Sequence, residues 1–168
     1  MTKAQAFHAQ ARSDFLVYEH LAAQSLPECH ALHYLQMAAE KVAKAVILRS
    51  NPTFGNSHVA FSILPHHLAR PDLGRALGWQ DDRKYLAFLK AVKPLLRAVE
   101  ELCPAIESGV NTEYPWEGRA ADGTMAWQVP AEHRFGLMPR LRRPYYGVPL
   151  HQFMRLLLDP DRFEALPL

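Results

Sequence analysis

Hydrophobic residues recur every three or four positions over long stretches of this chain, which is the pattern of amphipathic helices. The strongest stretch runs from Ala31 to Arg49, and its polar side chains are confined to one side. A similar stripe follows Thr2, whose spacing from Gln5 is that of a capping box. The pattern predicts helices over residues 3–25 and 28–50. Because their connection is short, we expect them to be antiparallel neighbours.

Two more helices are predicted in the next part of the chain, over residues 57–69 and 81–107. Each contains a proline, Pro65 in the first and Pro94 in the second. Proline removes a backbone hydrogen bond, so we expect the first to be short or bent and the second to kink or break near Lys90. The sequence therefore predicts an all-α fold, an antiparallel up-and-down four-helix bundle over residues 1–108.

Residues 109–168 differ in composition from the bundle. They are rich in proline and glycine, they contain no lysine, and all of their basic residues are arginine. An Asp122-Gly123 turn between two tryptophans predicts a small hairpin. Pro149 is expected to begin a short last helix. Because the segment is rich in aromatic residues, we expect an extension that packs on the bundle or on a dimer partner, not an independent domain.

Overall composition excludes several classes of protein. The chain has 168 residues, 49% of them hydrophobic and 21% charged, which is ordinary for one globular domain. A formal charge of +2 is too small to indicate nucleic-acid binding by itself. No long apolar run and no signal-peptide pattern is present, so we expect a cytoplasmic protein without membrane association.

The second helix and the start of the third resemble the signature of the HEPN superfamily (higher eukaryotes and prokaryotes nucleotide-binding). The matching positions are Ala31, Tyr34, Ala38, Glu40, Lys41, Lys44 and Ala45, followed by His58, Val59 and Leu64. The resemblance covers roughly residues 4–107. It implies a helical bundle that pairs through its long helices, so a homodimer is expected.

Active HEPN proteins include metal-independent ribonucleases, whose signature is Arg, four to six residues, then His. The nearest Arg and His pairs in this chain are separated by seven or eight residues, so none fits. This departure favours a non-catalytic binding module for a nucleotide, RNA or partner protein, in a bacterial defence, toxin–antitoxin or stress system. The alternative is a metal-independent ribonuclease with a non-standard site, for which His58 and Arg49 are the first candidates.

Two groups of residues are candidates for binding a nucleotide or RNA. The first is Lys41 and Lys44 of the resembling helix, although Glu40 and Lys44 also have the spacing of a structural ion pair. The second group combines phosphate-binding arginines with stacking aromatics, a composition that is also typical of protein interfaces. Its members are Arg134, Arg140, Arg142, Arg143, Tyr145 and Tyr146.

No cofactor or metal is expected. His30 and His33 share a helix face near Cys29, but the sequence pairs no further ligand with them.

Overall fold

The computed structural model describes residues 1–54, 60–102, 110–120 and 122–168. The fold of these residues is mostly helical, with one small two-stranded sheet. The elements are α1 (Lys3–Ala22), α2 (Glu28–Ser50), α3 (Ala60–Leu68), α4 (Pro71–Ala76), α5 (Asp82–Glu100), β1 (Trp116–Arg119), β2 (Met125–Gln128), α6 (Leu137–Leu141), α7 (Pro144–Leu158) and α8 (Pro160–Ala165).

Helices α1 and α2 form the most extensive helix pair. The capping box at the start of α1 is confirmed, because Thr2 Oγ1 accepts from the Gln5 backbone N–H and Gln5 Oε1 accepts from the Thr2 N–H. Along α2, Lys41 contacts Asp14 and Lys44 lies over the ring of Phe7. Residue numbers rise along α2 as they fall along α1, so the two helices are antiparallel.

The core is built around α2, which packs against α1, α3, α5 and α7. Almost every side chain from Ala38 to Leu48 is buried. Small residues, chiefly alanine, occupy much of this helix and allow its neighbours to approach on several sides. The apolar stripe predicted from the sequence is therefore only part of the buried surface of α2.

Pro65 and Pro94 lie inside helices as predicted, but the break expected in α5 is not seen. Helix α5 runs from Asp82 to Glu100 through Pro94 without interruption, so the expected one-residue break near Lys90 is absent. Asp81 caps this helix by accepting from two backbone N–H groups. Helix α3 contains Pro65 and has nine described residues, and the predicted start of this helix at residue 57 lies outside the residues that the structure describes.

The predicted hairpin is confirmed. Strands β1 and β2 pair antiparallel, with Trp116 opposite Gln128 and Glu117 opposite Trp127. Gly123 adopts a positive φ of 86°, which glycine tolerates without strain.

The prediction of a single short helix after the hairpin is wrong, because three α-helices occur there. Helix α7 begins at Pro144, where the missing N–H costs nothing, and Pro149 lies inside it instead of at its start. Side chains of α7 and α8, among them Phe153, Met154 and Phe163, belong to the same buried cluster as those of α1 and α2. The carboxyl-terminal helices are thus part of the core.

Candidate functional site

Helix α5 presents a row of basic side chains on its exposed face. Lys90, Lys93 and Arg97 are spaced by three and four residues, so they lie on one side of the helix. All three are exposed, while the opposite side buries Leu89, Val92 and other apolar residues in the core. The amphipathic pattern of α5 therefore fixes the direction in which these cations point.

The junction between α6 and α7 faces this row. A Cβ placed on Gly147 would overlap the backbone carbonyl oxygen of Leu141 and lie 3.0 Å from its carbonyl carbon. Only glycine allows the first turns of α7 to approach the end of α6 so closely. The Arg140 guanidinium of α6 consequently lies over the ring of Tyr146 in α7, 5.2 Å from its centroid.

Two adjoining clefts lie between α5 and the α6–α7 junction, with volumes of about 550 and 560 Å³. They share Pro94 and Arg140, so we treat them as one feature, the basic groove. Its lining comprises Lys90, Ala91, Lys93, Pro94, Leu95, Arg97, Ala98, Glu101, Arg140, Pro144, Tyr145, Tyr146, Val148 and Pro149.

The basic groove is electrostatically positive. Lys90, Lys93, Arg97 and Arg140 make no ion pair or side-chain hydrogen bond within the part of the chain that the structure describes, where Glu101 is the one carboxylate of the lining. The positive end of α7 lies at the groove, and its first turn carries no acidic residue. An anion in the groove would therefore meet several uncompensated positive charges.

The groove also offers aromatic surface. Tyr145 is 82% exposed, and its ring meets that of Tyr146 edge-on at 5.0 Å between centroids. An exposed tyrosine beside cations provides a face on which a planar ring can stack. The described lining contains no histidine, cysteine, serine or threonine that could act as a nucleophile or general base.

The predicted arginines and tyrosines do not all meet in this groove. Arg140, Tyr145 and Tyr146 line it, and Arg142 and Arg143 are exposed in the connection between α6 and α7. The lining does not include Arg134, which is exposed and precedes Phe135, whose backbone N–H donates to Glu28 of α2.

Sequence reasoning missed the three cations of α5, Lys90, Lys93 and Arg97. The signal was their spacing of three and four residues on the exposed face of an amphipathic helix. What the sequence did not reveal was the element that this face would meet.

The two lysines of the resembling helix lie elsewhere, between α1 and α2. Lys41 Nζ donates to Asp14 at 2.5 Å, and Lys44 donates to Glu40. Asp14 also accepts from Gln10, and its side chain is only 7% exposed. Both lysines thus make ion pairs that join or stiffen these helices. Contact of either lysine with a phosphate stays a prediction, and a phosphate would have to compete with these carboxylates.

Arg49, one of the two candidates for a ribonuclease site, lies away from the basic groove. The Arg49 guanidinium donates to the backbone carbonyls of Phe163, Glu164 and Leu166, and it also lies over the Phe163 ring. It therefore satisfies carbonyls at the end of α8 and attaches that helix to α2. His58 lies outside the residues that the structure describes.

A second group of titratable residues joins α1 to α7. The Tyr18 hydroxyl and His151 Nε2 are hydrogen-bonded at 2.8 Å, and Arg155 pairs with Glu19 at 2.7 Å. Burial raises the pKa of Tyr18 to about 12 and lowers the pKa of His151, an effect that Arg155 strengthens and Glu19 opposes. Because the hydroxyl stays protonated and the imidazole stays neutral, this is a hydrogen bond between two uncharged groups, and the histidine tautomer sets which of them donates. This cluster ties two helices together.

His8 is a further buried histidine, at the contact between α1 and the carboxyl-terminal helices. Its ring stacks on Phe163 at 4.1 Å between centroids, and its Nε2 is 3.0 Å from the carbonyl oxygen of Leu157. Burial lowers the pKa of His8, although the hydrogen bond to Leu157 opposes this effect. The neutral ring donates to that carbonyl and packs like an aromatic core residue.

No group of three or more His, Cys, Asp or Glu among the described residues is arranged to hold a metal ion. His33 Nδ1 lies 3.2 Å from Glu113, and Cys29 is a buried free cysteine. No helix in the described ranges is both long and apolar enough to span a membrane.

Comparisons with known proteins gave no match to this chain, whether with family models, with curated proteins or with solved structures.

Proposed function

We propose that this protein is a non-catalytic binding module that holds single-stranded RNA in the basic groove. The observation that carries the proposal is the meeting of four cations without ion-pair partners among the described residues, Lys90, Lys93, Arg97 and Arg140, with the exposed ring of Tyr145. Cations that follow a groove bind a phosphate backbone, and an exposed aromatic ring stacks a base.

The combination favours a nucleic acid over an acidic protein segment. Carboxylates would be attracted by the same cations, but they would leave the exposed Tyr145 face without a planar partner. Arg140 is already oriented by its contact with Tyr146, so it loses less side-chain freedom when an anion binds. Single-stranded substrates expose both the phosphates and the ring faces that this surface complements.

Several expectations from the sequence belong to the same proposal. They are membership of the HEPN superfamily, a four-helix bundle as the core of residues 1–108, pairing as a homodimer, a cytoplasmic location, and a role in a bacterial defence, toxin–antitoxin or stress system. Light scattering during size-exclusion chromatography tests the dimer, which a clean monomer near 19 kDa would exclude.

The alternative function, a metal-independent ribonuclease that uses His58 and Arg49, also stays a prediction. No contact of the described residues favours it, because the Arg49 guanidinium is held by carbonyls of the carboxyl-terminal segment. Incubation of the purified protein with total transfer RNA tests it directly. Cleavage that disappears in His58→Ala would establish the enzyme and overturn the non-catalytic assignment.

Binding is measured by fluorescence anisotropy with a labelled ten-nucleotide single-stranded RNA over a range of salt concentrations. Contacts from four cations predict a slope of log K against log salt of about −3, because each neutralised phosphate of a single strand contributes about −0.7. We expect Lys90→Gln/Lys93→Gln to reduce the magnitude of the slope by about 1.4 and to weaken binding.

The matched control removes two exposed cations from α1, Lys3→Gln/Arg12→Gln, and leaves the groove unchanged. Wild-type affinity in the control together with weakened binding in the groove variant supports the proposal. Equal losses of RNA affinity in both variants would show that the net charge of the protein alone attracts the RNA. Absence of binding to single-stranded RNA or DNA, with an acidic peptide bound instead, would assign the groove to a protein partner.

A further inference from the structure

Two prolines line the basic groove from its two walls, Pro94 from α5 and Pro149 from α7. Proline has no backbone N–H, so in each helix the carbonyl four residues earlier lacks its α-helical donor. These carbonyls belong to Lys90 and Tyr145. Both residues are exposed and line the groove. Each wall therefore carries a backbone acceptor without its usual donor.

The position of these oxygens follows from helix geometry. A carbonyl in an α-helix points along the axis toward the residue four positions later, on the same face. Because Lys90, Tyr145 and both prolines line the groove, we expect this geometry to place the freed carbonyl oxygens at its walls. A buried or ligand-covered acceptor is costly unless a donor reaches it. A bound molecule that has no N–H donor next to these two carbonyls would leave both acceptors unpaired.

Building on the proposed function, we propose that these two carbonyls select nucleobases that carry an exocyclic amino group. With a base stacked on Tyr145, its amino N–H groups donate to the freed carbonyls, while the phosphates contact Lys90, Lys93 and Arg97. Cytosine presents an amino donor where uracil presents a carbonyl acceptor, so uracil would place oxygen against oxygen. The groove would thus distinguish two bases of equal size and charge.

The test compares ten-nucleotide cytidine and uridine RNAs in the same anisotropy assay. One or two hydrogen bonds predict about five- to tenfold tighter binding of the cytidine RNA. Pro149→Ala and Pro94→Ala each restore an N–H that pairs with the freed carbonyl inside the helix. We expect each variant to bring the cytidine-to-uridine ratio toward one, and the double variant to abolish the preference, while the salt slope is unchanged.

These variants keep the helices intact, because alanine favours a helix interior far more than proline does. Circular dichroism checks that they fold. The matched control is Pro139→Ala, an exposed proline in the first turn of α6 that lies outside the groove lining, where a restored N–H has no helical carbonyl to occupy. It should keep the wild-type preference.

The outcomes separate this inference from the proposed function. If the wild type binds both RNAs equally and Lys90→Gln/Lys93→Gln loses this binding, base selection is overturned and the proposed RNA-binding function stands. A cytidine preference that persists in Pro94→Ala/Pro149→Ala would overturn the role assigned to the carbonyls. Failure of the wild type to bind either RNA would remove the proposed function itself.

Discussion

Gly147→Ala tests the contact that holds α6 against α7 in one wall of the basic groove. In the native structure α7 passes so close to the end of α6 that an added Cβ would overlap the Leu141 carbonyl oxygen and lie 3.0 Å from its carbonyl carbon. Non-bonded carbon atoms prefer separations of about 3.5–4.0 Å. The obstacle is backbone, which cannot rotate away as a flexible side chain would. The two helices must therefore separate.

The expected change in the free energy of unfolding of Gly147→Ala is the sum of two opposing effects. Overpacking usually costs about 1–3 kcal/mol and occasionally more, and because the neighbour is rigid backbone we take a cost of about 3–4 kcal/mol. Alanine regains about 1 kcal/mol relative to glycine through its helix propensity. We expect a net loss of about 2–3 kcal/mol in the free energy of unfolding. For a chain of this size that corresponds to a fall in Tm of about 4–12 °C.

Thermal and urea unfolding, followed by circular dichroism, measure the effect of Gly147→Ala. The control is Gly136→Ala, because Gly136 has a helical φ of −63° and a Cβ there would meet no heavy atom within 4 Å. The control should change the free energy of unfolding by no more than about 0.5 kcal/mol. If Gly147→Ala changes the free energy of unfolding as little as the control does, the close approach of α6 and α7 is refuted. The alignment of Arg140 and Tyr146 in the groove is then refuted as well.

Three further predictions concern contacts away from the groove. Arg49→Met should lower the free energy of unfolding by about 2–3 kcal/mol and expose the carboxyl terminus to carboxypeptidase, since carbonyls at the end of α8 lose their donor. Lys41→Met should cost about 2–3 kcal/mol by leaving the buried Asp14 carboxylate without its cation, and adding Asp14→Leu should recover most of that loss in urea unfolding. Burial lowers the pKa of His8 and His151 below the unfolded value of 6.5, so the unfolded chain takes up protons first and Tm should fall as the pH drops below about 6.5.

Each of these predictions has an outcome that would contradict it. Full stability and an intact terminus in Arg49→Met would show that α8 is held by apolar packing alone. A double variant less stable than Lys41→Met would mean that the ion pair contributes beyond neutralising Asp14. The combined His8→Gln/His151→Gln variant should flatten the fall of Tm with pH, and exposed His66→Gln serves as its control. An unchanged pH dependence in the combined variant would assign acid sensitivity to other groups.

Local features of the fold were predictable because they depend on neighbours a few residues apart. Thr2 and Gln5 form the expected capping box, and α2 begins and ends where the sequence predicts. The Asp122-Gly123 turn joins the expected strands. Capping, helical periodicity and turn geometry all operate within four or five positions, so a single sequence contains them completely.

Features that depend on long-range packing were not predictable in the same way. Pro94 did not break α5, and the helix expected to begin at Pro149 begins at Pro144, because tertiary contacts outweigh local propensity. Asp14 and Lys41 are distant along the chain, and only the packing of α1 on α2 makes them an ion pair.

The candidate site also has features that the sequence determined and features that only the tertiary structure decided. The sequence alone determined that Arg140, Tyr145 and Tyr146 form a basic and aromatic segment, and it contained the row of cations on α5. Only the tertiary structure decided that these two surfaces form one groove, and that the Lys41 and Lys44 charges are neutralised elsewhere. The physical reason is that periodicity shows which face of a helix is exposed, whereas the partner of that face is set by close packing between elements far apart in the chain.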